Sequence, residues 1–332
     1  MHPLEKTDLG SSSLQVTRLG LGCAAIGGLY GDIPEEQATD VVHKALDLGL
    51  NLFDTAPLYG SGKSEQRLGR ALQGIPRDTY VLASKVGRLL VPSDDSDRGQ
   101  SIFGDPPPFK PVFDFSYDGV MRSLEESLER LGVERIDILH IHDPDAHWQE
   151  AIDGAYPALD ALRSQGVIRA VSAGMNQWEM LARFAREGDF DCFLLAGRYS
   201  LLDQSALDEL LPLCLEKNIG IMAGGTYNSG ILAKGAKPGA TYNYGEAPQD
   251  IMQKAQAIEA VAARHSVDVK AAASQFVFAH PAITCIIPGT RQPARVEENY
   301  NLLTKEIPHA FWEELRSESL VHEAAPLPGA VS

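Results

Sequence analysis

Several features that would assign this chain to a simple class are missing from its 332 residues. The four cysteines, Cys23, Cys192, Cys214 and Cys285, are scattered and form no C-x-x-C pair. That excludes a disulfide framework or a clustered zinc site and predicts reduced thiols. No apolar run approaches the 18 or so residues that cross a bilayer. The opening residues lack the charged-then-apolar pattern of a leader, so a cytoplasmic protein is expected. Positive charge is in deficit, with 29 Lys+Arg against 45 Asp+Glu and a net charge of −16. With no basic stripe, a nucleic-acid partner is not expected. An anionic cofactor remains compatible, because it needs only a few local cations and backbone N–H groups. The G-x-G-x-x-G turn that opens the first helix of a doubly wound sheet is absent too, and Gly20-Leu-Gly22 does not replace it.

What is present is an ordinary globular composition, 44% hydrophobic and 22% charged, sufficient for a sizeable core. Short apolar runs alternate with helix-spaced segments along nearly the whole chain. Strands are predicted at 19–26, 50–54, 80–85, 136–142, 168–174, 192–196, 219–223 and 283–288. Helices are predicted at 34–48, 64–72, 116–131, 149–165, 178–186, 205–217, 251–265 and 293–303, with an extra one at 269–280. Continuous apolar strands are expected where both faces of a sheet are buried. Eight such units match a (β/α)8 TIM barrel in an α/β chain, read as a single domain over 1–332 with its core at about 17–303. Residues 1–17 are expected to form a small hairpin or strap, and 304–332 a mixed tail whose last residues, 324–332, are disordered. Two long loops, 87–114 and 224–249, follow the third and seventh strands and so belong at the catalytic mouth.

Three of the predicted strand ends, with the loop after the first of them, carry chemistry. Asn51-Leu-Phe-Asp-Thr-Ala-Pro-Leu-Tyr-Gly60 places Asp54 at a strand end and Tyr59 five residues later. The next strand ends on Lys85 and the one after on His142. A phenol titrates near pH 10, too high for easy proton exchange at neutrality. A neighbouring ammonium favours the phenolate, a carboxylate keeps that ammonium charged and in place, and an imidazole can orient a substrate oxygen. Such a set moves a proton to or from an alcohol or carbonyl oxygen while a nicotinamide moves the hydride, with no metal required. His140 and His147 compete with His142. Alternation puts His140 and His142 on one side, and His142 is nearer the strand end.

The residues that surround this set resemble the aldo-keto reductase superfamily from about Thr17 to about Leu303. The matching segments are Phe53-Asp-Thr-Ala-Pro-Leu-Tyr59-Gly, Ser64-Glu65, Leu68-Gly69, Lys85, 123–132, and Asp137 with His142-Asp-Pro144. The resemblance implies a catalytic tetrad of Asp54, Tyr59, Lys85 and His142, with Tyr59 as acid/base. The segment from Ile287 to Asn299 is similar to the family's adenosine site. Pro288, Gly289, Thr290, Arg291 and Arg295 would then lie along ribose and phosphate, and Glu298 and Asn299 at adenine. Many NADPH-dependent relatives have a lysine where this chain has Gly289, and losing that cation favours NAD over NADP. Gly174-Met175, Ala196 and Gly224 depart from the family's usual nicotinamide contacts, and Asn176 is the candidate substitute, with Arg198 behind it. These departures, with 197–202, Asn228-Ser-Gly-Ile-Leu232 and Tyr242-Asn-Tyr244, resemble the subgroup that includes D-threo-aldose 1-dehydrogenases, L-fucose or L-galactose dehydrogenases and pyridoxal 4-dehydrogenase. Gly225, Asn228, Ser229 and Gly230 would approach the cofactor's pyrophosphate.

For the substrate, a small sugar or aldehyde, Tyr30, Arg88, Asp143, Trp148, Tyr242 and Tyr244 are the candidate contacts, with His140 also at hand. The leading expectation is oxidation of an aldose at C1 to a lactone. Pyridoxal oxidation to its lactone comes next, then general aldehyde or ketone reduction. A rival of another class is a module that binds nicotinamide without turnover, against which the intact tetrad speaks.

Overall fold

Short strands that are apolar on both faces can be covered on both faces only in a layered or closed α/β arrangement. In the computed structural model, which describes residues 2–94 and 102–329, they close into a barrel. An antiparallel hairpin comes first, β1 (Lys6–Asp8) and β2 (Gln15–Thr17). The barrel strands are β3 (Leu21–Gly22), β4 (Leu52–Asp54), β5 (Val81–Val86), β8 (Ile138–His142), β9 (Ala170–Met175), β10 (Cys192–Ala196), β11 (Gly220–Gly224) and β14 (Ile283–Ile286). Between them run two hairpins, β6 (Arg88–Pro92) with β7 (Phe109–Phe113), and β12 (Thr241–Tyr242) with β13 (Gly245–Glu246). The eight barrel strands are parallel, in the order β14-β11-β10-β9-β8-β5-β4-β3. The ends meet: Leu19 bridges Ile286 and Gly22 bridges Gly289, and the Gly20 N–H donates to Ile286 O at 2.9 Å. The protein is a (β/α)8 barrel.

Along each strand alternate residues face the lumen. Its lower half is apolar, made of Leu52, Val81, Ala83, Ile138, Ala170, Cys192, Met222 and Cys285. The expected N-terminal strap is the β1–β2 hairpin, and Leu9, Leu14 and Val16 plug the barrel floor. Gly10 makes that approach possible, since its φ is +57° and a Cβ there would stand 1.9 Å from Asp191 O.

The predicted elements recur with local differences. The helix expected over 205–217 is regular only from Leu210 to Glu216, because Pro212 is tolerated in a first helical turn but not in a helix interior. The helix expected over 149–165 widens into a π turn at Ala151–Ala155, just before Pro157 removes a backbone donor. The loop 87–114 contains the β6–β7 hairpin, and residues 95–101 lie outside the described residues. The tail differs most from expectation. It forms a helix, His309–Ser317, that buries Phe311, Trp312 and Leu315. The segment expected to be disordered from 324 is docked as far as the structure describes it. Ala325 and Leu327 are buried, and the Arg316 guanidinium holds Ala325 O at 2.5 Å. Residues 330–332 lie outside the described residues. Among the described residues, no helix is long and apolar enough to cross a membrane, and no group of His, Cys, Asp or Glu is arranged to hold a metal.

Candidate active site

Two residues above the apolar floor the lumen turns polar. Asp54 ends β4, Lys85 stands near the end of β5, and His140 and His142 both face inward from β8. The registers place Lys85 beside His140, His140 beside Ser172, and His142 beside Gly174. The Lys85 ammonium donates to both Asp54 oxygens at 2.7 Å and to Thr55 O at 2.8 Å, so all three of its donors are used. Burial alone would raise the Asp54 pKa, but Lys85 and His140 outweigh it and hold the carboxyl below its usual range.

Tyr59 hangs over this pair from a turn pinned from below. Ser64 Oγ donates to Cys23 O at 2.8 Å and meets Thr55 Oγ1 at 2.8 Å. Glu65, wholly buried, accepts from Ser84 Oγ at 2.7 Å and Arg130 Nε at 2.6 Å, which ties the following helix to β5 next to Lys85. The Tyr59 ring centroid lies 4.9 Å from Lys85 Nζ and 6.0 Å from the His142 ring, edge to face. The structure thus brings Asp54, Tyr59, Lys85 and His142 together. One electrostatic expectation is reversed. Burial, then the negative charge of Asp54, push the Tyr59 phenol well above its ordinary pKa. Lys85 gives its donors to Asp54 and Thr55, and the charge of Asp54 opposes the phenolate.

His142 is held well below the ordinary imidazole value by burial first, then by Lys85, Arg88 and His140. It is neutral, and its Nδ1 is buried without a partner. His147 leaves the competition: its Nδ1 meets Glu150 Oε2 at 2.5 Å and its ring packs on Phe113.

Beside His142, Asp143 is strained at φ +43° and lies 3.5 Å from His142 Nε2. Arg88 donates to Asp143 at 3.1 Å and stacks on Phe113 at 4.6 Å. Gly87 lets β5 turn into β6 and deliver Arg88, since its φ is +96° and a Cβ would collide with the Phe115 ring at 2.0 Å. Burial raises Asp143 to about 6 in spite of Arg88. Tyr244 donates to Asn176 Oδ1 at 3.4 Å and its backbone N–H to Ser229 Oγ at 3.0 Å. Tyr30 also meets the Ser229 side chain, so loops after β3, β9 and β11 are linked across the mouth.

Two of the candidate substrate contacts already have partners within the protein. Tyr242 is separated from Tyr244 because the tight β12–β13 turn directs its hydroxyl to Asp203, 3.1 Å away. The Trp148 ring packs on Phe184 at 4.7 Å and under Arg183 at 3.8 Å. Arg198 turns to Asn243 Oδ1 at 2.9 Å.

Residues suited to a dinucleotide line the rest of the mouth. Gly225, Asn228, Ser229 and Gly230 all have positive φ, and Asn228 Oδ1 is buried without a partner. A Cβ at Gly174 or Gly224 would meet only ordinary contacts, from 3.5 Å, against Leu194 and its neighbours. Pro288 and Gly289 follow β14, where the Gly22 N–H reaches Pro288 O at 3.4 Å. Thr290 Oγ1 accepts from the Gln292 N–H at 3.1 Å, Arg295 holds Gln292 Oε1 at 3.2 Å, and Arg291 reaches the Tyr30 and Gly31 carbonyls at 3.3 Å. Glu298 pairs with Lys270, and Asn299 Oδ1 accepts from Tyr227 Oη at 3.0 Å. Lys270 and Tyr227 have no local sequence signal, because they arrive from other helices and loops. An orphaned buried amide oxygen and a train of left-handed backbone fit a nicotinamide dinucleotide.

Residues 18–319 match the family model described as the Aldo/keto reductase family. The chain belongs to that family. It is 37% identical, over 96% of its own length and 98% of the relative's, to a pyridoxal 4-dehydrogenase of Microbacterium luteolum. It is 38% identical, over 94% and 96%, to a D-threo-aldose 1-dehydrogenase of a Pseudomonas species. Among solved structures it superposes on aldo-keto reductase AKR11C1 of Bacillus halodurans with a TM-score of 0.76, covering 97% of this chain and 98% of that one at 23% identity. As a member of the family with dehydrogenase relatives, the protein is an NAD(P)-dependent oxidoreductase. The family match runs beyond the core expected to end near 303 and takes in the His309–Ser317 helix.

Proposed function

We propose that this aldo-keto reductase oxidises the anomeric hydroxyl of a cyclic aldose to the lactone. The whole chain acts as one catalytic unit in the cytoplasm, with NAD in preference to NADP. The observation that carries the sugar reading is the polar wall beside His142, where Asp143 and Arg88 pair at 3.1 Å and Tyr244 and Asn176 add further hydrogen-bonding groups. A site built of such groups selects hydroxylated substrates, since an analogue without the hydroxyls leaves buried polar atoms unpaired.

Tyr59, as phenolate, accepts the C1 hydroxyl proton while hydride leaves C1. His142, neutral, keeps a ring nitrogen for the substrate oxygen. Asp54 accepts from the Lys85 ammonium with both oxygens and fixes it beside the phenol. Oxidised nicotinamide, when bound, supplies the hydride acceptor and a positive charge that opposes Asp54 at Tyr59. Asn176, Gly225, Asn228, Ser229 and Gly230 would hold its nicotinamide and pyrophosphate part. Pro288, Gly289, Thr290, Arg291, Arg295, Glu298 and Asn299 would hold the adenosine part.

The preference for NAD rests on Gly289 and its surroundings. A Cβ at 289 would meet Gly22 O at 3.0 Å, and Lys270 is paired with Glu298. Two relatives of almost equal identity leave a specific second substrate, pyridoxal, whose cyclic hemiacetal undergoes the same chemistry. NADH formation at 340 nm, followed side by side with L-fucose, L-galactose, D-arabinose and pyridoxal, tests the reading. Turnover of pyridoxal alone would overturn the sugar assignment, and a higher kcat/KM with NADP would overturn the cofactor assignment.

A further inference from the structure

A second inward-facing imidazole lies below the proposed acid/base. His140 precedes His142 by two residues on β8 and is wholly buried one layer deeper. Its Nδ1 is 2.7 Å from Ser172 Oγ on β9, and its Nε2 is 3.3 Å from Asp54 Oδ1 on β4. The Nε2 contact has no hydrogen-bonding alignment, so it is a charge–dipole attraction rather than a formed hydrogen bond. Lys85 faces the ring from β5 and His142 stands beyond it on the same strand.

These neighbours decide the tautomer. With the proton on Nδ1, a nitrogen lone pair would face the ionised Asp54 in a dry site. With the proton on Nε2, the positive end of the ring dipole faces it. Ser172 then donates to Nδ1, for which it is well placed, since its other acceptor, Ala173 O, is 3.4 Å away. The geometry points to His140 as a positioning residue for the tetrad: a neutral imidazole, protonated on Nε2 and fixed by Ser172, that holds Asp54 ionised beneath Lys85 and so sets the field at Tyr59. Burial and Lys85 favour the neutral ring, although Asp54 opposes them. A leucine would fill a similar volume but present no dipole to Asp54. The inference rests on the reading of Tyr59 as the acid/base.

Two substitutions separate dipole from packing. His140→Leu removes the N–H, whereas His140→Gln places an amide N–H near the same point and cannot titrate. His140→Leu is expected to lower kcat about tenfold or more with KM within about twofold, and to move the acid limb of kcat/KM to higher pH. His140→Gln should return kcat to within about threefold of the wild type. Imidazole 15N NMR of the ligand-free chain should show His140 neutral and protonated on Nε2 at pH 7. An unchanged rate and pH profile in His140→Leu, an equal loss in both variants, or an Nδ1–H or doubly protonated ring would each overturn the inference. If the wild type turns over no substrate, or Tyr59→Phe keeps full activity, the functional reading fails instead, and the NMR tautomer still decides the placement of His140.

Discussion

The two halves of the barrel interior are made by the same strands with the same alternation, and they differ in chemistry within two residues. Leu52 precedes Asp54 on the inward face of β4, Ala83 precedes Lys85 on β5, and Ile138 precedes His140 and His142 on β8. Below, Leu9, Leu14 and Val16 complete an apolar plug whose burial stabilises the fold. Above, four ionisable groups are buried: Asp54 and Lys85 pair with each other, His140 leans on Ser172, and His142 keeps an unpartnered nitrogen. The separation matches a barrel whose floor carries stability and whose strand C-termini carry chemistry.

Substituting one residue in each half tests the contrast. The largest effect is expected from Tyr59→Phe, which removes the proposed proton carrier. kcat should fall by about 10³-fold or more at 340 nm while the unfolding temperature stays unchanged. Lys85→Met should damage both rate and stability, by about 3–5 kcal/mol in urea unfolding, because Asp54 is left charged and buried. The Asp54–Lys85 contribution has a definite pH sense. Asp54 is depressed in the folded state, so the contribution is present above its unfolded value, about 4, and is lost as pH falls through the lower folded value. Leu14→Ala, in the floor, should lower stability by about 2–5 kcal/mol and leave the pH profile of kcat/KM unmoved. A shifted profile would mean that floor and site are coupled.

The smallest effect is at the rim. Asp143 is raised to about 6 and so binds its proton more tightly folded than unfolded. Its ionised form weakens the fold above pH 6, and the penalty vanishes below the unfolded value near 4. Asp143→Asn should therefore stabilise by about 1–2 kcal/mol at pH 8 and by almost nothing at pH 4, while kcat/KM for the sugar falls. Equal stabilisation at both pH values would exclude titration of Asp143 as the cause.

Local pattern determined a great deal of this protein. Strand runs, the helix-spaced segments between them and the absent G-x-G-x-x-G led to the barrel. Strand-end positions put Asp54, Lys85 and His142 at the mouth, because in a parallel barrel a strand's end is also its place there, and the family resemblance proposed them, with Tyr59, as the tetrad. Alternation put His140 on the same face as His142. Tertiary structure alone decided how those groups interact. That Lys85 gives all three donors to Asp54 and Thr55, while burial and the charge of Asp54 push the Tyr59 phenol upward, depends on ångström-scale distances between strands about thirty residues apart in the chain. The burial of Trp148 against Phe184 and Arg183, the turning of Tyr242 to Asp203, the pairing of Lys270 with Glu298 and the docking of Ala325 and Leu327 have the same origin. Each is a contact between segments distant in sequence, and periodicity carries no information about which of two residues will meet once the barrel has closed.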